Sequence, residues 1–163
     1  PHSNYALSAG FNWKGLSASV MLQGVAGAKA FYPGKLYLVN EANVGFNRSS
    51  EILNAWTPEN TNTNIPRLTT QDPNSNFATT STWYLEDASY LRIKNVTVGY
   101  DFTNLLRKVG HFDERGSRLS VYFSGENLFT FTKYSGMDPE VSGFDACKFP
   151  VSRVLSLGVK LTY

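Results

Sequence analysis

The chain has 163 residues, enough to bury a sizeable core, and a net charge of +2 with no run of Lys and Arg, which leaves no basic field for nucleic acid. Charged residues are only 17% and aromatics 14%, with Ser, Thr, Asn and Gly filling much of the rest, a mixture that favours strands and turns over helices. Cys147 is the only cysteine, so an internal disulfide and a thiolate metal site are excluded, and no apolar run approaches the ~20 residues of a transmembrane helix.

The chain opens Pro1-His2-Ser3-Asn4 without a basic and then apolar leader, so no signal peptide is expected in it. Tyr5, Leu7, Ala9, Phe11 and Trp13 then alternate with Asn4, Ala6, Ser8, Gly10 and Asn12. That period of two predicts a strand over 3–13. After a tight turn at Asn12-Trp13-Lys14-Gly15, Leu16, Ala18, Val20 and Leu22 alternate with Ser17, Ser19, Met21 and Gln23, giving a second strand over 16–26. A glycine in so short a loop suits a hairpin with a left-handed residue. Gly24, Gly27 and Gly34 are too loosely spaced to cradle a phosphate and mark the strand end and loop.

A long connection follows. Leu36, Tyr37 and Leu38, and the run from Ser50 to Trp56, are expected to form short helical turns packed on a neighbour, while 57–82 is rich in Asn, Thr, Pro and Ser. A third strand is predicted over 88–102. Its Leu91 and Ile93 lie on one parity and Val96, Val98, Tyr100 and Phe102 on the other, so a β-bulge at Lys94-Asn95 is needed to restore a single face. The segment 103–116 suits one helical turn, with Thr103 as N-cap, Leu105, Leu106 and Val109 apolar, and Gly110 ending it. Strands over 117–131 and 151–163 complete the pattern, the first with Leu119, Val121 and Phe123 opposite Arg118, Ser120, Tyr122 and Ser124. In the second, Leu155, Leu157, Val159, Leu161 and Tyr163 oppose Ser156, Gly158, Lys160 and Thr162.

The expected fold is therefore all-β, with about five long antiparallel strands whose connections alternate between long and short. That asymmetry is the one outer-membrane barrels show between their extracellular loops and periplasmic turns. Aromatics gather at strand ends, at Phe11 and Trp13, Tyr100 and Phe102, Phe129 and Phe131, and Tyr163, as in interfacial girdles. The same alternation also arises in a soluble β-rich domain, where loop aromatics would bind carbohydrate. About eight strands is the fewest that close a barrel, so a membrane reading requires a functional unit larger than this chain.

The segment Ser89-Tyr90-Leu91-Arg92-Ile93-Lys94-Asn95-Val96-Thr97-Val98-Gly99-Tyr100 resembles a signature of the SusC/RagA family of TonB-linked outer-membrane proteins. So does Gly125-Glu126-Asn127-Leu128-Phe129-Thr130-Phe131-Thr132-Lys133-Tyr134-Ser135-Gly136-Met137-Asp138-Pro139-Glu140-Val141. The ending from Pro150 to Tyr163 is similar to that family's last strand, and Trp56-Thr57-Pro58-Glu59-Asn60 fits its preceding loop. The resemblance implies that residues 1–163 are the C-terminal portion of a transporter barrel in the outer membrane of a Gram-negative bacterium, with the plug domain and earlier strands absent. It implies import of glycans or oligopeptides with a SusD-like surface lipoprotein, driven by TonB through the missing plug, with outer-membrane lipid around the wall. It also implies that Leu155, Leu157, Val159, Leu161 and Tyr163 form a C-terminal assembly strand. These residues serve equally as plain lipid-facing positions.

Several further positions carry candidate chemistry. Trp56, Trp83, Tyr84 and Tyr134, in or beside loops, suit stacking on a sugar ring or simple loop packing, and Asp138 and Glu140 suit contact with a ligand or with the lipoprotein. Asp138, Glu140 and Asp145 cluster in sequence without an EF-hand pattern, so they read as calcium ligands or as a solvated loop. Arg118, Tyr122, Glu126, Ser156 and Lys160 share the polar parity that would line a lumen. His2 and His111 have no metal-ligand spacing, and no nucleophile elbow, P-loop or catalytic dyad is present. Neither catalysis nor a cofactor is expected.

Overall fold

The computed structural model describes residues 2–40, 47–110, 117–141 and 143–162. In chain order the strands are β1 (Ser3–Trp13), β2 (Leu16–Ala26), β3 (Lys29–Phe31), β4 (Leu85–Asp87), β5 (Tyr90–Asp101), β6 (Arg118–Thr132) and β7 (Val154–Thr162), with short helices α1 (Gly34–Leu38) and α2 (Thr103–Lys108). The chain divides into a sheet unit, Pro1–Ala28 with Ser89–Lys133 and Pro150–Tyr163, and a loop unit, Lys29–Ala88 with Tyr134–Phe149.

The sheet unit is one five-stranded sheet in the order β1-β2-β5-β6-β7, antiparallel throughout. Each strand lies where the period-two pattern predicts, to within about three residues at either end. The β1–β2 hairpin closes on Lys14 and Gly15 alone, with φ of 47° and 93°, so both central residues are left-handed and the turn is of type I′. Gly15 adopts that conformation without strain, whereas Lys14 holds it as a non-glycine. The expected bulge is present. Ile93 pairs with Leu22 and Val96 with Val20, so β5 contributes one more residue than β2 across that interval. Against β6 the same interval, Val96↔Gly125 to Ile93↔Phe129, is longer again by one residue on β6, where Asn127 takes a φ of 51°.

The bulges bring both halves of β5 onto one face. Paired rows then run across all five strands, for example Phe11, Ala18, Val98, Phe123 and Leu157. The opposite face reads Asn12, Ser17, Gly99, Tyr122 and Gly158. At the turn end, Phe102 and not Thr103 caps α2, correcting the expected N-cap. The Asp101 carboxylate accepts from the Thr103 amide at 2.9 Å, and the Thr103 hydroxyl accepts from the Leu119 amide at 3.1 Å. Thr103 is thus occupied in tying the helix to β6. Gly110, with φ of 72°, follows the helix as expected.

The loop unit has its own small core of Val39, Ala55 and Ile65, with Ile52, Leu68 and Trp83 packed against it. Val39 just past α1, and Ile52 and Ala55 in and just past a 3-10 turn over Ser50–Asn54, belong to this core, so the two helical turns read from the sequence are present beside it. The ribbon of β3 and β4 was not expected, because strands of three residues are too short to show a period. The segment around Phe144 adds to it as a parallel bridge: Phe31 N–H donates to Gly143 O at 2.7 Å, and Asp145 N–H donates to Phe31 O at 2.9 Å.

Candidate functional site

Three surfaces carry the candidate residues, and the first is the apolar face of the sheet. It lacks any cover: Leu155, Leu157, Val159 and Leu161 are 60–74% exposed, and Leu7, Phe11, Trp13, Phe129 and Phe131 are exposed too. Tyr163 lies outside the described residues. A water-soluble monomer rarely leaves so large a contiguous apolar surface open. Aromatic rings sit at both ends of this face. Tyr100 and Phe102 meet edge to face at 4.8 Å near the turn end, with Trp13 on the adjoining hairpin, and Phe129 and Phe131 stand at the loop end. Tyr5 lies across its cross-strand partner Gly24, so close that a Cβ on Gly24 would come within 2.3 Å of the ring.

The polar face forms the second surface. Arg118, Ser120, Tyr122, Ser124 and Glu126 stand opposite Thr162, Lys160, Gly158, Ser156 and Val154, so the residues read as one polar set share one face of the sheet. Near the turn end Asp101, Arg107, Arg118, Ser120, Lys160 and Thr162 surround an open cleft of about 400 Å³. At the other end Arg92 is only 1% exposed, donating from Nε to Thr130 Oγ1 at 2.9 Å and lying 5.3 Å over the Tyr90 ring. Its only signal in the sequence is a cation on the polar parity of an apolar segment, which it shares with Lys94 two residues on.

The loop unit holds the third. Tyr84 and Tyr134 are buried, and each hydroxyl is satisfied internally: Tyr84 donates to Phe77 O, and Tyr134 to Asp145 Oδ2 at 2.6 Å. Burial and then the Asp145 carboxylate push the Tyr134 phenol far above its ordinary range. Trp83 stands edge-on to Phe77 and Tyr84, with the Lys35 ammonium 5.1 Å from its ring centre. These three aromatics therefore knit the loops together. Trp56 differs, being 39% exposed on a shallow cleft with Leu53, Pro58, Arg67 and Leu68.

Asp138 Oδ1 accepts from the Glu140 amide at 2.9 Å in a local turn. Asp145, by contrast, is buried and accepts from the Cys147 amide at 2.7 Å as well as from Tyr134. Neighbours in sequence are thus separated in use, and among the described residues no group of three His, Cys, Asp or Glu side chains is placed to hold a metal ion. His111 lies outside the described residues. Sequence reasoning missed Glu86, which accepts from Lys35 Nζ at 2.9 Å and from the Ser135 amide at 3.0 Å, and also takes the Ser135 hydroxyl.

No family model matches the chain. It is 32% identical over 131 residues to TonB-dependent receptor P3 of Formosa agariphila, covering 72% of this chain and 12% of that protein. It is 40% identical over 84 residues to TonB-dependent receptor SusC of Bacteroides thetaiotaomicron, covering 51% of this chain and 8% of that one. Among solved structures, the RagAB peptide importer in its open-open state matches 98% of this chain and 17% of the matched chain, with a TM-score of 0.81 and 29% identity. A second structure of the RagAB peptide transporter matches 94% of this chain and 16% of its own at 32% identity, with a TM-score of 0.77. The chain thus spans less than a fifth of the length of each of these relatives. A continuous apolar face, a polar face behind it and agreement in both sequence and backbone converge: the chain belongs to the SusC/RagA family of TonB-dependent receptors and forms an antiparallel segment of the β-barrel.

Proposed function

We propose that this chain is wall from the C-terminal portion of an outer-membrane importer, energised through TonB, that takes up oligopeptides or glycans with a SusD-like surface lipoprotein. The observation that carries the reading is the uncovered apolar face, whose paired rows cross five strands without a charge. Lipid satisfies such a face and water does not. The polar face then lines the lumen, the short connections face the periplasm and the long connections face outward. Leu155, Leu157, Val159 and Leu161, with Tyr163, make the strand that the assembly machinery would engage, since a long apolar edge strand can be recognised by strand addition.

Oligopeptides are the favoured cargo, because the solved structures it matches are described as a peptide transporter and importer. Trp56 and Glu140 are exposed and Asp138 half-buried, and these three are the positions left for contact with cargo or lipoprotein, whereas Trp83, Tyr84 and Tyr134 serve by shaping the loops that present them. The role involves no catalysis. Deleting the receptor from its host should abolish growth on peptide mixtures as sole amino-acid source while leaving growth on free amino acids intact. Loss of growth on a glycan instead would move the cargo assignment to sugar, and no growth defect on either would overturn the transport reading. Affinity purification of the intact receptor from outer membranes should bring down one lipoprotein in near-equal amount.

A further inference from the structure

The apolar face is uncharged along its paired rows but ends in a cation. Arg153 immediately precedes β7 in the parity of Leu155 and Leu157, and its guanidinium carbon lies 5.1 Å from the centre of the Phe129 ring. Phe129 pairs with Ile93 on the apolar face and is 57% exposed. Arg153 is itself exposed, and among the described residues no carboxylate pairs with it. Lys133, exposed and immediately after β6, adds a second positive charge beside the same strand end.

A cation at the edge of an apolar sheet face has a defined complement. The face itself selects acyl chains. The planar guanidinium, held over an aromatic ring, keeps its N–H groups free at the rim and matches the paired oxygens of a phosphate. At the loop-bearing end of a barrel that rim lies at the depth of the outer-leaflet headgroups.

We propose that Arg153, seated on Phe129, is a binding site for the phosphate of an outer-leaflet lipid whose acyl chains run down past Leu155, Leu157 and Phe123. The site commits to a lipid phosphate and not to free phosphate, because the apolar rows beneath it supply part of the binding. The inference rests on the outer-membrane reading above.

The test uses the full-length receptor purified in detergent, with native mass spectrometry titrations of phosphorylated lipid A, the same lipid dephosphorylated, and inorganic phosphate. Arg153→Gln should weaken binding of the phosphorylated lipid about fivefold, as expected for one cation near a lipid surface, and leave the dephosphorylated lipid unchanged. Should that variant fail to assemble, Arg153→Lys keeps the charge but loses the fork, and a smaller loss confined to the phosphorylated lipid is expected. Equal binding by wild type and variant, an equal loss for both lipids, or displacement of the lipid by inorganic phosphate at comparable concentration would each overturn the proposal. Fractionation separates the two readings. A receptor absent from the outer membrane sinks the membrane assignment, whereas a receptor present there with unaltered lipid binding sinks only this site.

Discussion

Tyr5 and Tyr122 each lie across a cross-strand glycine, Gly24 and Gly158 respectively, and each ring occupies the space where a Cβ would stand. The pairing shields backbone that glycine leaves bare and fills a gap in the row. Gly24→Val should therefore destabilise the full-length receptor by about 1–3 kcal/mol, with most of the loss recovered in the Tyr5→Ala, Gly24→Val double variant. Thermal unfolding followed by heat-modifiable gel mobility measures both. Glu86 offers a pH test. Burial raises its pKa, but hydrogen bonds from Ser135 and Lys35 outweigh burial, so the carboxyl lies below its ordinary 4.5. A carboxyl depressed in the folded state stabilises above its unfolded pKa and stops doing so as pH falls through the folded one. The attachment of Ser135 should thus hold at neutral pH and weaken as pH falls below about 4.5, with Glu86→Gln weakening it at neutral pH and removing the pH dependence. Hydrogen exchange at the Ser135 amide reports this, and unchanged protection in the variant would refute it. Little of that contact was legible beforehand, since Glu86 and Ser135 are 49 residues apart and neither carries a pattern.

At the scale of elements, the five strands of the sheet unit were legible because each one repeats a two-residue code over nine residues or more. The bulge at Lys94 was legible because an odd insertion flips parity, moving apolar residues from odd to even numbers. The extra residue of β6 was not, because Gly125 and Phe129 are separated by an even step that preserves parity. Deletion of Lys94 makes this difference testable. Without it, either Leu91 and Ile93 or Val96, Val98 and Tyr100 must turn to the polar face, so the receptor should fail to assemble and be degraded. Surface protease protection and outer-membrane yield give the readout. Thr103 shows the limit of local rules. Its type suits an N-cap, but a hydrogen bond to β6 outcompeted that role. The two faces of β7 can be set against each other in the same way. Leu157→Arg should cost about 2–4 kcal/mol of folding stability in lipid, whereas Ser156→Arg, on the polar face, should cost far less. Equal effects on urea unfolding in vesicles would contradict the assignment of faces.

For the whole molecule, the number of strands was legible, and five fall short of the eight needed for closure, so a barrel built with them needs further strands. Which residues of the loop unit stay accessible was hidden, since burial of Tyr84 and Tyr134 depends on partners scattered over the chain. Strand order has a further consequence for handling the protein. β1 and β7 are the outer strands of the sheet, 11 and 9 residues long, each with one backbone edge unpaired and one apolar side. Edges of that length template one another. Copies of this segment produced apart from the rest of the receptor should add β7 of one to β1 of the next and precipitate as cross-β aggregates. Thioflavin binding should rise with concentration, and fusing the missing neighbouring strands should suppress it, so aggregation would here report a correctly formed edge left without its neighbour.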